Sequence, residues 1–330
     1  MTALQAILPQ HLLSRLVGKL AQLENPVWLK NFLIRTFMSR YDIDLTEATC
    51  SSGEDFPHFN AFFTRSLREG MRPLASSQWC HPADGVLSQR GAVASAELVQ
   101  AKGRLYSVQS LLAGSDEEAN RFAKGCFATT YLSPRDYHRV HMPIRGHLVK
   151  TRYVPGDLFS VNAATVERVD GLLARNERLV CFFETDQGGV AVVLVGAMIV
   201  AGIATVWGGR EAPGGQIREQ VWSADEAPLL EAGQELGRFF LGSTVVLVTE
   251  AGDLDWADEA GDAVKVRAAL AYAPLRAELG ERVGLSRSQT RHDLLKTLEA
   301  LATDFPAFNR SSQCTTRFAL MLAVPEAALA

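Results

Sequence analysis

The apolar residues of this chain change their spacing along its length. Over residues 3–41 they recur near helical spacing. Ile7, Leu12, Leu13, Leu16, Val17 and Leu20 come first, then Trp28, Leu29, Phe32, Leu33 and Phe37, with Asn25-Pro26 between the two stretches. Residues 56–67 predict a further helix. From about residue 79 to 250 the pattern becomes a succession of short β-like runs divided by Gly, Pro and Asp, among them 126–131, 146–154, 179–185, 216–222 and 244–249. Helical stretches at 107–112 and 163–173 interrupt them. The pattern predicts an α+β fold, with an antiparallel β-rich core and amphipathic helices at the N-terminal end. Three regions follow: N-terminal and helical at 1–55, a β-rich core at 56–275, and a peripheral or partly disordered tail at 276–330.

Residues 188–209 carry no charge and are long enough to cross a bilayer. They are also dense in Val and Ile and punctuated by Gly196 and Gly202, which suits buried strands with bends. A single crossing here would separate His141 from Ser243, so if those residues cooperate the segment is core. The run from 7 to 20 is too short to span and is broken by Arg15 and Lys19, unlike a secretory signal.

Composition narrows the partners. A net charge of −4 gives no reason to expect nucleic acid, and no Gly-rich phosphate loop is present. Cys50, Cys80, Cys126, Cys181 and Cys314 are scattered and form no Cys-x-x-Cys pair, which fits a reducing compartment and excludes a cysteine zinc site. The first forty residues hold Arg15, Lys19, Lys30, Arg35 and Arg40 against Glu24. Such helices either lie on an anionic membrane surface or pack on the core with solvated basic faces.

The chemistry centres on Leu241-Gly242-Ser243-Thr244, between two strand-like runs at 239–241 and 245–248. A Gly-Ser step is commonly just a turn, but glycine also permits a strained backbone. A serine hydroxyl beside the strained carbonyl of Gly242 could attack it, giving an acyl shift, an ester, elimination and a new N-terminus at residue 243 bearing a ketone. Taken singly, Asp84-Gly85 reads as a turn and His141 as a core or surface histidine. His138 lies three residues before His141, which in a strand puts the two on opposite faces unless a bulge intervenes. With His147 they form no recognised metal set, and no metal is expected.

The larger motifs decide how these residues are read. They are Phe62-Phe63-Thr64-Arg65, Pro82-Ala83-Asp84-Gly85, Tyr131-Leu132-Ser133-Pro134-Arg135-Asp136-Tyr137-His138-Arg139-Val140-His141-Met142-Pro143, Tyr153-Val154-Pro155-Gly156-Asp157, Arg175-Asn176-Glu177-Arg178 and Leu241-Gly242-Ser243-Thr244. In this order, from about residue 59 to 250, the chain resembles bacterial phosphatidylserine decarboxylase proenzymes. The resemblance implies self-cleavage between Gly242 and Ser243 into a large chain (1–242) and a small chain (243–330). It implies a pyruvoyl cofactor made from Ser243, a Schiff base with phosphatidylserine, and release of phosphatidylethanolamine. It implies a cleavage relay of Asp84, His141 and Ser243, with His138 assisting decarboxylation as a proton donor. It also implies a peripheral protein on the cytoplasmic face of the cell membrane, with homodimerisation left open.

The resemblance weakens near the C-terminus. Val266-Arg267-Ala268-Ala269-Leu270 only partly matches the Val-Arg-x-Gly-Gln-like segment expected there. Arg135, Arg139 and Arg175 are available to a substrate phosphate but are not assigned to it. Two other readings use the same residues. One is a serine hydrolase built on Ser243, His141 and Asp84, although Gly-x-Ser-x-Gly is absent. The other is an inactive lipid-binding homologue.

Overall fold

The computed structural model describes residues 10–197, 202–211, 214–240 and 243–272. All lie in the first of the two units into which the chain divides, Met1–Tyr272 and Ala273–Ala330. The tail expected at 276–330 falls outside the described residues, as do Leu241 and Gly242.

Helices lead and strands follow. Helices α1 (Gln10–Leu20), α2 (Val27–Tyr41) and α3 (Phe59–Phe63) precede the first strand. The strands are β1 (Trp79–Cys80), β2 (Gly85–Ala92), β3 (Glu97–Ala101), β4 (Arg104–Ser107), β5 (Cys126–Leu132), β6 (Arg139–His141), β7 (Gly146–Val154), β8 (Arg178–Thr185) and β9 (Gly188–Gly196). They continue as β10 (Gly202–Thr205), β11 (Gly209–Arg210), β12 (Arg218–Val221), β13 (Leu229–Leu230), β14 (Glu235–Phe240), β15 (Ser243–Thr249), β16 (Asp255–Trp256), β17 (Ala263–Val264) and β18 (Ala269–Tyr272).

The principal sheet runs in the order β12-β7-β8-β9-β15-β5-β2-β17, with β13 also paired to β7. A second sheet runs β11-β10-β14-β6, and a third β1-β18-β16. Every strand pair is antiparallel, so the α+β, β-rich architecture is the one the pattern predicts.

Both faces of the principal sheet are covered. On one face Leu179, Cys181, Val190, Val192, Leu194, Val245 and Leu247 join one hydrophobic cluster. On the other, Val180, Phe182, Ala191, Val193, Val195, Val246 and Val248 join a second. Successive residues of a strand point to opposite faces, so a strand covered on both sides must be apolar at every position. This is why the segment at 188–209 is uncharged: its described part includes β9 and β10, two buried strands. No helix among the described residues is long and apolar enough to cross a membrane.

The helical region departs from expectation in detail. The helix predicted at 56–67 is confined to α3, whose Phe59, Phe62 and Phe63 pack with Ile34, Ile43, Leu45 and Phe56 in a third cluster. Helix α2 buries Lys30, Asn31 and Ile34, while Trp28 and Phe32 are 69% and 58% exposed. Lys30 is drawn inward because its ammonium donates to the carbonyls of Glu54 and Phe56 at 2.9 and 2.7 Å, which satisfies an otherwise costly buried charge.

Candidate active site

Strand register brings Ser243 and Asp84 to one end of the principal sheet, while His138 and His141 belong to the chain entering and forming β6 of the second sheet. Ser243 opens β15 and sits between Leu132 of β5 and Gly196 of β9. Tyr131, beside Leu132, pairs with Val86 of β2, so Asp84 and Gly85 enter the sheet at that same end. Gly85 has φ +151°, and a Cβ there would lie 2.1 Å from the Tyr131 carbonyl oxygen, so only glycine lets β2 approach β5 here. Beyond β5 the chain turns at Ser133–Asp136, where the Asp136 carboxylate accepts from the Ser133 amide at 2.7 Å and its hydroxyl at 2.6 Å. The turn delivers Tyr137 and His138 to β6. The His141 amide then bonds the Pro82 carbonyl at 2.8 Å, and the Phe239 amide bonds the His138 carbonyl at 3.0 Å.

Asp84 is 2% exposed and its carboxylate is fully engaged. Arg72 grips it with two bonds, Nε to Oδ1 at 3.1 Å and Nη2 to Oδ2 at 2.7 Å. The Val266 amide donates to Oδ1 at 2.8 Å, and Lys265 Nζ reaches Oδ2 at 3.4 Å. Arg72 also holds Glu47 at 2.9 and 2.7 Å, and this pairing lowers the Glu47 carboxyl from its ordinary value. A buried carboxylate needs this kind of paired, hydrogen-bonded surrounding to remain charged. The bonds from Asp84 go to these three residues and not to His141.

His141 has both ring nitrogens occupied. Nδ1 lies 2.8 Å from the Gly233 carbonyl oxygen and therefore carries the proton, because a carbonyl can only accept. Nε2 is then bare, and the Tyr137 hydroxyl donates to it at 3.1 Å. Burial pushes the Tyr137 phenol up to about 12, and burial lowers the His141 imidazole.

His138 and Ser243 are the members of the set with an unpartnered buried atom. His138 is fully buried, with Nδ1 2.8 Å from the Asp136 carbonyl and Nε2 without a partner. Its ring lies on Phe63 with centroids 4.0 Å apart, and burial pushes its pKa down to about 3. It is thus a neutral imidazole with a bare Nε2. Ser243 is 0% exposed, and its Oγ also has no hydrogen-bond partner among the described residues. Buried polar groups are usually hydrogen-bonded, so both call for an explanation.

The structure adds residues that sequence reasoning passed over: Arg72, Tyr137, Phe63, Gly233 and Arg267. Tyr137 and Phe63 lay inside motifs already noted, and Arg267 inside the partial match at 266–270. Of the arginines considered for phosphate, Arg139 is committed to the Thr64 carbonyl and Glu235, each at 2.9 Å, and Arg175 to Asp157 at 3.0 Å. Arg135 is exposed.

Known proteins resemble this chain over most of its length. A family model described as phosphatidylserine decarboxylase matches residues 59–272, and a model described as PSD matches residues 1–42. The phosphatidylserine decarboxylase proenzyme of Alcanivorax borkumensis is 53% identical over 276 residues, covering 81% of this chain and 94% of that protein. Proteins of the same name from Acinetobacter baumannii and Shewanella denitrificans are each 50% identical, over 254 and 252 residues. They cover 76% and 74% of this chain, and 88% and 87% of their own lengths. The chain belongs to the phosphatidylserine decarboxylase family.

The buried histidines set an acid limit on the fold. His81, His138 and His141 are all lowered from 6.5 by burial, so the unfolded chain takes up protons that the folded chain refuses. Their contribution is complete above about pH 6.5 and is lost as pH falls, at up to about 1.4 kcal/mol per pH unit for each group. Urea unfolding of the Ser243→Ala chain should show its midpoint dropping between about pH 6.5 and 5, with a shallower drop when His138→Gln is added. A midpoint constant over that range would contradict it.

Proposed function

We propose that this chain is a self-cleaving phosphatidylserine decarboxylase. The bond between Gly242 and Ser243 breaks to give large (1–242) and small (243–330) chains, and Ser243 becomes a pyruvoyl group at the new N-terminus. The observation that carries this reading is the Ser243 hydroxyl, wholly buried at the head of a central strand and without a hydrogen-bond partner among the described residues. Thr129 and Thr130 also bury an unpartnered hydroxyl, so it is the free hydroxyl together with its place directly after Gly242 that suits attack on the preceding carbonyl. The surroundings fit the group that results: Ser243 is fully buried, and among the candidate residues His138 keeps a bare Nε2 with no hydrogen-bond partner among the described residues. When present, a pyruvoyl ketone supplies the electron sink that lets a carboxylate leave as CO2.

Asp84, His141 and Ser243 form the proposed cleavage relay, with His138 serving decarboxylation. Supporting the relay, Nδ1 of His141 is fixed as the protonated nitrogen, which leaves Nε2 with the lone pair a base needs. To reach Ser243 it exchanges the Tyr137 hydroxyl for the serine's. His138, being neutral, must gain a proton before it can donate one. A second division of labour has one observation in its favour. Nε2 of His138 has no competing donor, whereas Nε2 of His141 is capped by Tyr137. That geometry would let His138 take the serine proton.

Two variants separate these assignments. His141→Ala should slow conversion of precursor to two chains by about a hundredfold or more, while His138→Ala cleaves normally and loses decarboxylation of phosphatidylserine vesicles. The reverse pattern would move the base role to His138. Ser243→Ala should remain one chain in either case.

Placement at the cytoplasmic face of the cell membrane, as a peripheral protein, completes the proposal. Leu16, Leu20, Leu23, Val27, Trp28 and Phe32 are exposed along the N-terminal helices, with Lys19, Arg35 and Arg40 exposed among them. An apolar surface beside basic residues suits insertion into an anionic interface. Trp28→Ser with Phe32→Ser should cut flotation with phosphatidylserine vesicles by about tenfold or more. Undiminished flotation would remove these helices from the membrane contact.

A further inference from the structure

We propose that Lys265-Val266-Arg267, on the far side of the cleavage point, brackets the relay by holding both Asp84 and His141, with Arg267 the positioning residue for His141. This rests on the relay reading above. The Asp84 end of the bracket is the Val266 amide on Oδ1 at 2.8 Å and Lys265 Nζ on Oδ2 at 3.4 Å. The His141 end is a shared acceptor: Arg267 Nε donates to the Gly233 carbonyl oxygen at 2.8 Å, and that same oxygen receives His141 Nδ1–H at 2.8 Å. Arg267 Nη1 also reaches the Arg72 carbonyl at 3.3 Å, and Arg72 is the residue that grips Asp84. One guanidinium thereby connects the supports of the proposed orienting carboxylate and the proposed base.

The local backbone is built around this connection. Arg267 has φ +68°, in the left-handed region that non-glycine residues seldom occupy. Its amide bonds the His81 carbonyl and its carbonyl accepts from the Ala75 amide, both at 2.9 Å, so the unusual conformation is held from both sides. Gly233 has φ +74°, and a Cβ there would stand 2.9 Å from Leu74 Cδ1 and 3.3 Å from Arg267 Cγ and Nε. Any side chain at 233 would push away the guanidinium that its carbonyl receives. The partial match at 266–270 keeps Val266-Arg267, the two residues whose amide and side chain make these bonds.

The consequence is one of order. Asp84 and His141 precede the cleavage point and their bracket follows it, so the relay is complete only when residues 265–267 have docked. After cleavage the same bonds join the two chains. The charged and titratable groups facing His141 are Arg267, Glu235, Arg139 and Tyr137. The Arg267 charge opposes protonation of the imidazole, so removing it should let His141 titrate at higher pH.

The test uses the full chain with Arg267→Met and Arg267→Lys, following precursor conversion across pH. In parallel, His141 side-chain NMR is recorded in the uncleaved Ser243→Ala background. Arg267→Met should slow cleavage by about tenfold to a hundredfold, since small displacements of a catalytic group cost that much. It should also raise the pH at which His141 titrates. Arg267→Lys, which keeps the charge and one donor, should recover most of both. Cleavage at the unaltered rate with His141 titration unmoved would overturn the proposal. Slow cleavage with His141 titration unmoved would overturn it too, because that is the signature of a general folding defect. Efficient cleavage by His141→Ala would strike the relay reading instead, and the NMR comparison would still decide whether Arg267 holds His141.

Discussion

The pairing of β15 on both edges is the constraint on which everything else depends. It bonds β9 and β5 through seven residue pairs on each side, and both of its faces are buried. Ser243 is its first residue, so the hydroxyl proposed to attack the chain is fixed by a ladder that cannot shift without breaking the core. The same ladder explains how a chain cut before Ser243 could stay whole. A small chain beginning there would contribute the middle strand of the principal sheet, along with β16, β17 and β18. Breaking one peptide bond at the strand's entry removes none of those pairs.

Around that fixed point the site is arranged by burial as much as by contact. Inside the protein Arg72, Lys265 and the Val266 amide surround the Asp84 carboxylate. At His81, His138 and His141 burial is the dominant influence and favours the neutral imidazole. His81 illustrates the difference: Asp258 lies 2.9 Å from its Nε2, yet burial outweighs the carboxylate and the imidazole remains lowered. The result is a cluster of ion pairs centred on Arg72 and Asp84, together with His138 and His141, neutral imidazoles whose tautomers are set by backbone carbonyls. This is the arrangement a proton-transfer site needs at neutral pH.

Much of the fold was legible because both faces of its central strands are buried. Strands at 179–185 and 244–249 announce themselves by apolar content, and the uncharged run at 188–209 could be assigned to core rather than bilayer. Helix limits were less legible. The periodicity of Trp28 and Phe32 left a membrane-facing and a core-facing helix both open, and Lys30 is the residue that turns in, for two carbonyls that no periodicity reveals. Ser243, His138, His141 and Asp84 stood out because they sit in long ordered motifs. Arg72 and Gly233 did not, and Arg267 entered only through an incomplete match, because an arginine that serves an internal carbonyl or carboxylate looks like any surface arginine in sequence and its partners lie elsewhere along the chain. Arg72 meets Asp84 twelve residues on, whereas Arg267 meets Gly233 thirty-four residues back.

The central claim is that Ser243 ends up at the head of a separate chain, with its amine gone. Intact mass spectrometry of the purified 36.0 kDa protein tests this most directly. The account predicts two chains, one ending at Gly242 and one beginning at residue 243. The second should be lighter than a seryl-ended chain by the loss of ammonia and resistant to N-terminal sequencing. A single chain of unaltered mass from active protein would contradict it.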